Sequence, residues 1–213
     1  MIPLGETAAL LLCAGLSRRF GPGNKLLAPL RGRPLVAHAA SVAAALPFAT
    51  RVAVVPPGEA ELRELLQSFG FETVENPRPE EGKDSSLRLG LADCLGRNAR
   101  GIMVLLGDMP HVEPAHIRAL CIAASDGQAA ISLADGIGSP PTLFPAGTAR
   151  DALRACERPV RQSLSNAFGV AAAAGSLADY DAPEDFGRRS AADRGCPLAA
   201  GFDVDQGSNP AKG

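Results

Sequence analysis

The sequence contains no tryptophan, a single tyrosine and only 4% aromatic residues in all. Its apolar fraction is nevertheless 46%, and much of that is alanine, so we expect a core built from leucine, valine and alanine. No stretch approaches the ~20 apolar residues that a membrane-spanning helix needs, and the N-terminus lacks the basic leader of a signal peptide. These absences predict a cytoplasmic protein that does not bind a membrane.

The sequence also lacks closely spaced cysteines and a strong excess of positive or negative charge. The five cysteines are odd in number and form no C-x-x-C pair, and the three histidines lie far apart, so neither a disulfide framework nor a zinc site is expected. The formal net charge of −2 gives no basic footprint of the kind that nucleic-acid-binding proteins carry. Any phosphate binding must therefore be local.

The length of 213 residues suits one well-buried domain and is short for two. We assign this domain to residues 1–187. Residues 188–213 are rich in Arg, Ser, Asp, Gly and Pro and have no hydrophobic periodicity, which predicts a largely disordered tail.

Predicted strands and helices alternate along the domain. The strands are predicted over 8–12, 51–55, 71–74 and 102–106, and the helices over 35–46, 59–69, 85–95 and 114–124. This alternation predicts an α/β fold with a mostly parallel, Rossmann-like sheet and helices on both faces. Residues 128–145 depart from it, because two strands joined through Asp135 and Gly136 predict a small antiparallel excursion. Ligands of such sheets bind at the carboxyl ends of the strands.

The loop after the first strand carries the strongest functional signal. Residues 10–25 read LLLCAGLSRRFGPGNK, an apolar strand followed by a turn of glycines and cations. Small residues let backbone N–H groups approach phosphate oxygens, and Arg and Lys neutralise their charge, so the loop predicts a triphosphate site. Its glycine spacing fits neither a Walker loop nor the G-x-G-x-x-G fingerprint, which argues against a dehydrogenase.

Asp108, in the segment LLGDMP, is the second strong signal. It follows a buried apolar strand and lies at the ligand edge of the predicted sheet. A carboxylate there can hold a Mg²⁺ ion that bridges phosphate oxygens, because magnesium takes one or two carboxylates together with substrate phosphates. A helix N-cap or a turn position is the alternative explanation.

The first loop follows the pattern L-x-A-G-x-S-x-R-x-G and then Lys, which resembles the nucleotidyltransferases that make molybdopterin dinucleotides. The matching residues are Leu12, Ala14, Gly15, Ser17, Arg19, Gly21 and Lys25. The molybdenum cofactor cytidylyltransferase branch is the most similar, because position 14 is alanine where the guanylyltransferase branch typically has glycine. Three residues separate Gly21 from Lys25, where many relatives have two.

The same resemblance implies the metal and nucleotide contacts. LGDMP is the family's metal motif, and DYDAPEDF is similar to D-I-D-T-P-E-D-L, so Asp108 and Asp181 are implied as the metal ligands. The segment 75–91 is similar to N-P-x4-G-x3-S-L-x2-G-L. It implies that Gly82 and Ser86 contact the nucleotide, together with the loop residues Leu12, Ala14, Gly15, Ser17, Arg19 and Lys25.

Acceptor binding is implied by weaker matches. GSPPTLF resembles the G-x-P segment that lines the family's acceptor pocket, which implicates Gly138 and Pro140. Proline between strands is also ordinary turn chemistry. The family's later G-D-x-G-x-R segment survives here only through Arg161, which leaves the identity of the acceptor open.

The resemblance implies a fold of the nucleotide-diphospho-sugar transferase type and transfer of CMP from CTP to the phosphate of molybdopterin, with release of pyrophosphate. Arg19, Lys25 and Asp108 are the implied catalytic residues, and Mg²⁺ is the implied cofactor. A guanylyltransferase of the same pathway, or a cytidylyl- or sugar-nucleotidyltransferase with another acceptor, stays open. So does a non-catalytic, chaperone-like nucleotide-binding module that partners a molybdoenzyme.

Overall fold

A computed structural model of the chain describes residues 1–15, 19–21 and 23–187; Ser17 and the predicted tail at 188–213 lie outside the described residues. Within them, one seven-stranded sheet forms the centre of the molecule. Its strands are β1 (Thr7–Leu12), β4 (Thr50–Val55), β5 (Glu72–Glu75), β6 (Gly101–Leu106), β7 (Ala130–Ala134), β8 (Ile137–Pro145) and β9 (Phe168–Ala171). Two short strands, β2 (Pro29–Leu30) and β3 (Arg33–Pro34), pair separately.

The strand order is β5-β4-β1-β6-β8-β7-β9. β1 runs parallel to both β4 and β6, with Leu12 level with Val54 on one side and Leu106 on the other. β8 is antiparallel to β6 and β7. The mostly parallel sheet with a small antiparallel excursion is confirmed, and the loops after β1, β4 and β6 leave it at one edge.

Five α-helices cover the sheet within the described residues. They are α1 (Leu35–Ala44), α2 (Ala60–Ser68), α3 (Lys83–Gly96), α4 (Pro114–Ala123) and α5 (Ala146–Arg154). β1 alternates between two cores: Ala9 and Leu11 pack with α1, α2 and α4, while Ala8 and Leu10 pack with α3 and α5. Both faces of the sheet are therefore buried, as near-continuous apolar strands predict.

Helix α3 lies unusually close to the sheet. A Cβ atom on Gly90 would stand 2.4 Å from Leu10 Cδ1 and 3.0 Å from Val54 Cγ2, so only glycine allows this approach. The close packing at Gly90 holds α3 against β1 and β4. This contact fixes one wall of the candidate site.

Three parts of the fold were not predicted from the sequence. The β2–β3 pair has only two residues in each strand, β9 has four and is mostly exposed, and both are too short to show a hydrophobic period. Helix α5 follows β8 directly, so no turn residues separate the two elements and the sequence pattern does not show where the helix begins. Among the described residues no helix is both long and apolar enough to cross a bilayer.

Candidate active site

A cavity of about 430 Å³ opens at the sheet edge where β1 and β6 end. One wall is the loop after β1, and the opposite wall is the segment that leads into α3. The lining residues are Leu12, Cys13, Ala14, Gly15, Arg19, Lys25, Leu26, Pro79, Glu80, Gly82, Lys83, Ser86, Leu106, Asp108 and Asp181. The segments that match the sequence motif for a nucleotide thus meet at one place.

Lys25 lies at the start of a short 3₁₀ helix, Lys25–Leu27, that closes the first loop. The Asn24 side chain fixes this turn: its oxygen accepts from Leu26 N at 3.0 Å, and its amide donates to Glu59 at 3.0 Å. The side chain of Lys25 lines the cavity, is only 8% exposed and points towards the carboxylates of Asp108 and Asp181. The extra residue between Gly21 and Lys25 therefore does not keep this lysine from the site.

The Lys25 ammonium joins the two predicted metal ligands. Its Nζ lies 2.7 Å from Asp108 Oδ2 and 2.7 Å from Asp181 Oδ1. Burial acts to lower the pKa of Lys25, but the two carboxylates outweigh it and hold that pKa above its ordinary value. The hydrogen bond from Lys25 holds the pKa of the Asp181 carboxyl below its usual value. The Lys25 ammonium is thus held between the two carboxyl groups.

Asp181 is held in place by the segment around it. The Asp185 carboxylate accepts hydrogen bonds from the backbone N–H groups of Asp181 and Ala182, each at 2.9 Å. The N–H of Tyr180 donates to the carbonyl of Asp108 at 3.0 Å. The two motifs, more than seventy residues apart in sequence, are therefore tied together through the backbone.

An aromatic cluster supports this arrangement, and sequence reasoning missed it. The Tyr180 hydroxyl lies 2.9 Å from His111 Nε2, and its ring packs edge-on against Phe186 with centroids 5.3 Å apart. Phe186 also packs against Phe20 of the first loop at 5.4 Å. The one available signal was Tyr180, which stands where the resembling family has isoleucine. The cluster connects the first loop to the segment that carries Asp181.

Arg19 stands at the mouth of the cavity. Its NH1 donates to Asp181 Oδ2 at 3.1 Å, and 79% of its side chain is exposed. An exposed ion pair of this kind contributes little to stability, so the guanidinium can turn to a ligand at small cost. Lys25 and Arg19 thus place two cations at the cavity.

The remaining predicted residues fall into two groups. Leu12, Ala14, Gly15, Gly82 and Ser86 line the cavity, and Gly82, with φ +93°, makes the turn into α3. Gly138 and Pro140 lie in the first half of β8, outside the cavity lining. Because β8 is antiparallel to β6, that half extends towards the sheet edge where Asp108 lies. Arg161 is exposed on the 3₁₀ segment Val160–Leu164.

Cys13 also lines the cavity, but it supplies no reactive group. The residue is buried, and burial raises the pKa of its thiol far above the ordinary value, so the sulfur stays protonated. It is a small apolar wall residue.

The donor set fits a metal that is shared with a ligand. Asp108 and Asp181 present two carboxylates to one nitrogen, while no group of three or more His, Cys, Asp or Glu among the described residues could cage an ion. Magnesium usually takes one or two protein carboxylates and completes its shell with phosphate oxygens and water. The site therefore suits a metal that arrives with a polyphosphate.

Comparison with known proteins decides the family. A sequence model of the MobA-like NTP transferase domain matches residues 9–170 of the chain. The chain belongs to this family. The match confirms the resemblance that the loop motif suggested, and it covers the sheet from β1 to β9, including the first loop and Asp108.

Individual relatives match only part of this chain, at about a third identity or less. The bifunctional protein GlmU of Cupriavidus necator is 32% identical over 116 residues, which cover 54% of this chain and 25% of GlmU. The chain spans about a quarter of the length of the curated relatives it matches.

Solved structures of other proteins share the fold. One is a nucleotidyl transferase from Methanothermobacter thermautotroptrophicus, with a TM-score of 0.72, 23% identity, and coverage of 84% of this chain and 94% of that one. Another is Rv0371c from Mycobacterium tuberculosis, with a TM-score of 0.70, 22% identity, and coverage of 87% and 96%. Rv0371c has also been solved in complex with manganese. That structure has a TM-score of 0.61 and 21% identity to this chain, with coverage of 81% of this chain and 89% of that one.

Proposed function

We propose that the chain is a metal-dependent nucleotidyltransferase that transfers CMP from CTP to the phosphate of molybdopterin and releases pyrophosphate. One observation carries this proposal: Lys25, Asp108 and Asp181 contact one another and line the cavity next to the first loop. Membership of the MobA-like NTP transferase family supports a nucleoside triphosphate as substrate.

The proposed reaction needs alignment and charge stabilisation more than acid–base chemistry. An oxygen of the acceptor phosphate bonds to the α-phosphorus of CTP, and the bond from that phosphorus to the bridging oxygen of pyrophosphate breaks. The acceptor phosphate is already ionised, so no general base is required. Arg19 and Lys25 hold the β- and γ-phosphates and stabilise the charge that builds up on the leaving pyrophosphate.

Asp108 and Asp181 are the residues that would hold the metal. A bound Mg²⁺ supplies positive charge next to phosphate oxygens, which lowers the cost of bringing two anions together. The manganese complex of Rv0371c, a protein of the same fold, supports the use of a divalent ion. Lys25 contacts the same two carboxylates, so a metal held by them would take its place as their partner.

The acceptor side is proposed to include Gly138 and Pro140, because the first half of β8 extends to the same sheet edge as Asp108. The resemblance adds a molybdoenzyme, or the chaperone of one, as the protein partner that would receive the product. The activity test is direct: each of the four NTPs is incubated with the protein, Mg²⁺ and molybdopterin, and pyrophosphate is measured. We expect pyrophosphate to be released with CTP. If none of the four nucleotides releases pyrophosphate, the proposal is wrong.

Ala14 offers a test of base size. It is buried and lines the cavity, so its methyl group occupies space that a purine would need more than a pyrimidine. We expect CTP to bind more tightly than GTP, and Ala14→Gly to reduce that preference about 10-fold, the usual effect of one methyl group in a pocket. Competition binding of the two nucleotides measures this ratio. Equal affinities in the unaltered protein would remove the basis for a cytidylyltransferase.

A further inference from the structure

A buried amide lies behind the part of the cavity wall that carries Ser86, and both its oxygen and its NH₂ group make hydrogen bonds. Asn76, directly after β5, is 3% exposed. Its Oδ1 accepts from the backbone N–H of Arg78 at 3.0 Å, and its Nδ2 donates to Ser85 Oγ at 3.0 Å and to Ser86 Oγ at 2.9 Å. A buried side chain with this many partners has one fixed position.

The contact with Arg78 also fixes which end of the amide faces the serines. A backbone N–H can only donate, so the Asn76 atom that it reaches must be the oxygen. The NH₂ group therefore points to Ser85 and Ser86, and both hydroxyl oxygens act as acceptors towards it. Each serine must then donate its own proton elsewhere.

The two serines differ in where that proton can go. Ser85 donates to the carbonyl of Gly82 at 2.9 Å. Ser86 is 4% exposed and lines the cavity, and among the described residues no atom accepts a hydrogen bond from it. A buried donor without an acceptor is costly. Its proton is thus available to a ligand in the cavity.

We infer that Asn76 is a positioning residue: it turns the Ser86 hydroxyl into a hydrogen-bond donor towards the nucleotide base, which selects cytosine over uracil. The inference rests on the proposed function, because it needs a nucleotide in this cavity. Cytosine carries an acceptor at ring position N3, where uracil carries an N–H donor. A hydroxyl that can only donate forms a hydrogen bond with N3 of cytosine, but it cannot form one with the N3–H group of uracil.

The test reverses the polarity of residue 76 without changing its shape. In Asn76→Asp the carboxylate still accepts from Arg78 N–H, but it now also accepts from Ser86, whose lone pairs then face the cavity. We expect the ratio of CTP to UTP affinity to fall at least ~10-fold, on the order of the cost of one mismatched buried hydrogen bond. Calorimetric titration with CTP and with UTP, in the presence of Mg²⁺, measures both affinities.

Two further variants separate positioning from a general structural effect. Ser85→Ala removes the other hydroxyl that Asn76 contacts, outside the cavity lining, and should leave the CTP to UTP ratio unchanged. In a Ser86→Ala background, Asn76→Asp should no longer change the ratio, because the hydroxyl through which it acts is gone. Thermal unfolding of each variant shows whether it is folded, and Asn76→Ala replaces Asn76→Asp if the carboxylate prevents folding.

The outcomes distinguish this inference from the proposed function. If the unaltered protein binds no nucleoside triphosphate, the proposed function fails. If it prefers CTP and the ratio is the same in Asn76→Asp, or if CTP and UTP lose affinity equally, the assignment of Asn76 is wrong while the nucleotidyltransferase proposal stands.

Discussion

Replacing Asp108 by asparagine should lower the turnover number at least ~100-fold, the loss expected when a main electrostatic element of a phosphoryl-type transfer is removed. The substitution keeps the size of the side chain but removes one of the two negative charges that face the metal position. The backbone carbonyl of Asp108, which accepts from Tyr180 N–H, is unchanged, so the fold should survive. Steady-state release of pyrophosphate at several Mg²⁺ concentrations measures the effect.

A matched control removes a similar charge far from the site. Asp151, on α5, pairs with Arg154 at the surface, and its side chain is 75% exposed. Asp151→Asn should keep both turnover and the dependence on Mg²⁺. If Asp108→Asn behaves like this control, Asp108 is not a metal ligand.

Replacing Lys25 by methionine should have opposite effects on two ligands. Loss of a buried charge that is proposed to contact the polyphosphate should weaken CTP binding about 10- to 100-fold, the usual contribution of a hydrogen bond to a charged group. The same change removes the one ammonium that contacts both Asp108 and Asp181, and leaves Asp181 paired with the exposed Arg19. Because two close carboxylates repel each other, Mg²⁺ in the absence of nucleotide should then bind more tightly.

Thermal unfolding and calorimetry follow both effects. The unfolding temperature of Lys25→Met should be lower than that of the unaltered protein without Mg²⁺, and added Mg²⁺ should raise it. Arg19→Met is the comparison variant: Arg19 also pairs with Asp181, but it is exposed, so its loss should weaken CTP without strengthening Mg²⁺ binding. Unchanged Mg²⁺ affinity in Lys25→Met would show that the lysine does not compete for the metal position.

The sequence predicted the architecture because hydrophobic pattern and loop chemistry agree in this chain. The apolar runs that became β1 and β6 are each followed by a loop that begins within three residues at a glycine, and parallel pairing brings those loops to one edge. That is enough to place Asp108 next to the first loop. It does not give the direction in which any side chain points.

The partner of Lys25 is the clearest example of what spacing cannot tell. The motif predicts a lysine that contacts phosphate, while in the structure its ammonium lies between two carboxylates. A lysine motif predicts that an anion is bound, but it does not say whether that anion is a phosphate or a carboxylate of the chain itself. Asn76 is similar: it belongs to a matched segment, but its hydrogen bonds to Ser85 and Ser86 depend on the turn between β5 and α3.

The fate of the α-phosphate of CTP shows whether the protein transfers a nucleoside monophosphate. The protein is incubated with Mg²⁺, molybdopterin and CTP that carries a radioactive label on the α-phosphate or, in a parallel reaction, on the γ-phosphate. We expect the α-label to move to the molybdopterin product and the γ-label to appear in pyrophosphate. An α-label that stays on CTP or appears only as free CMP, or a γ-label released as inorganic phosphate, would contradict the proposed transfer.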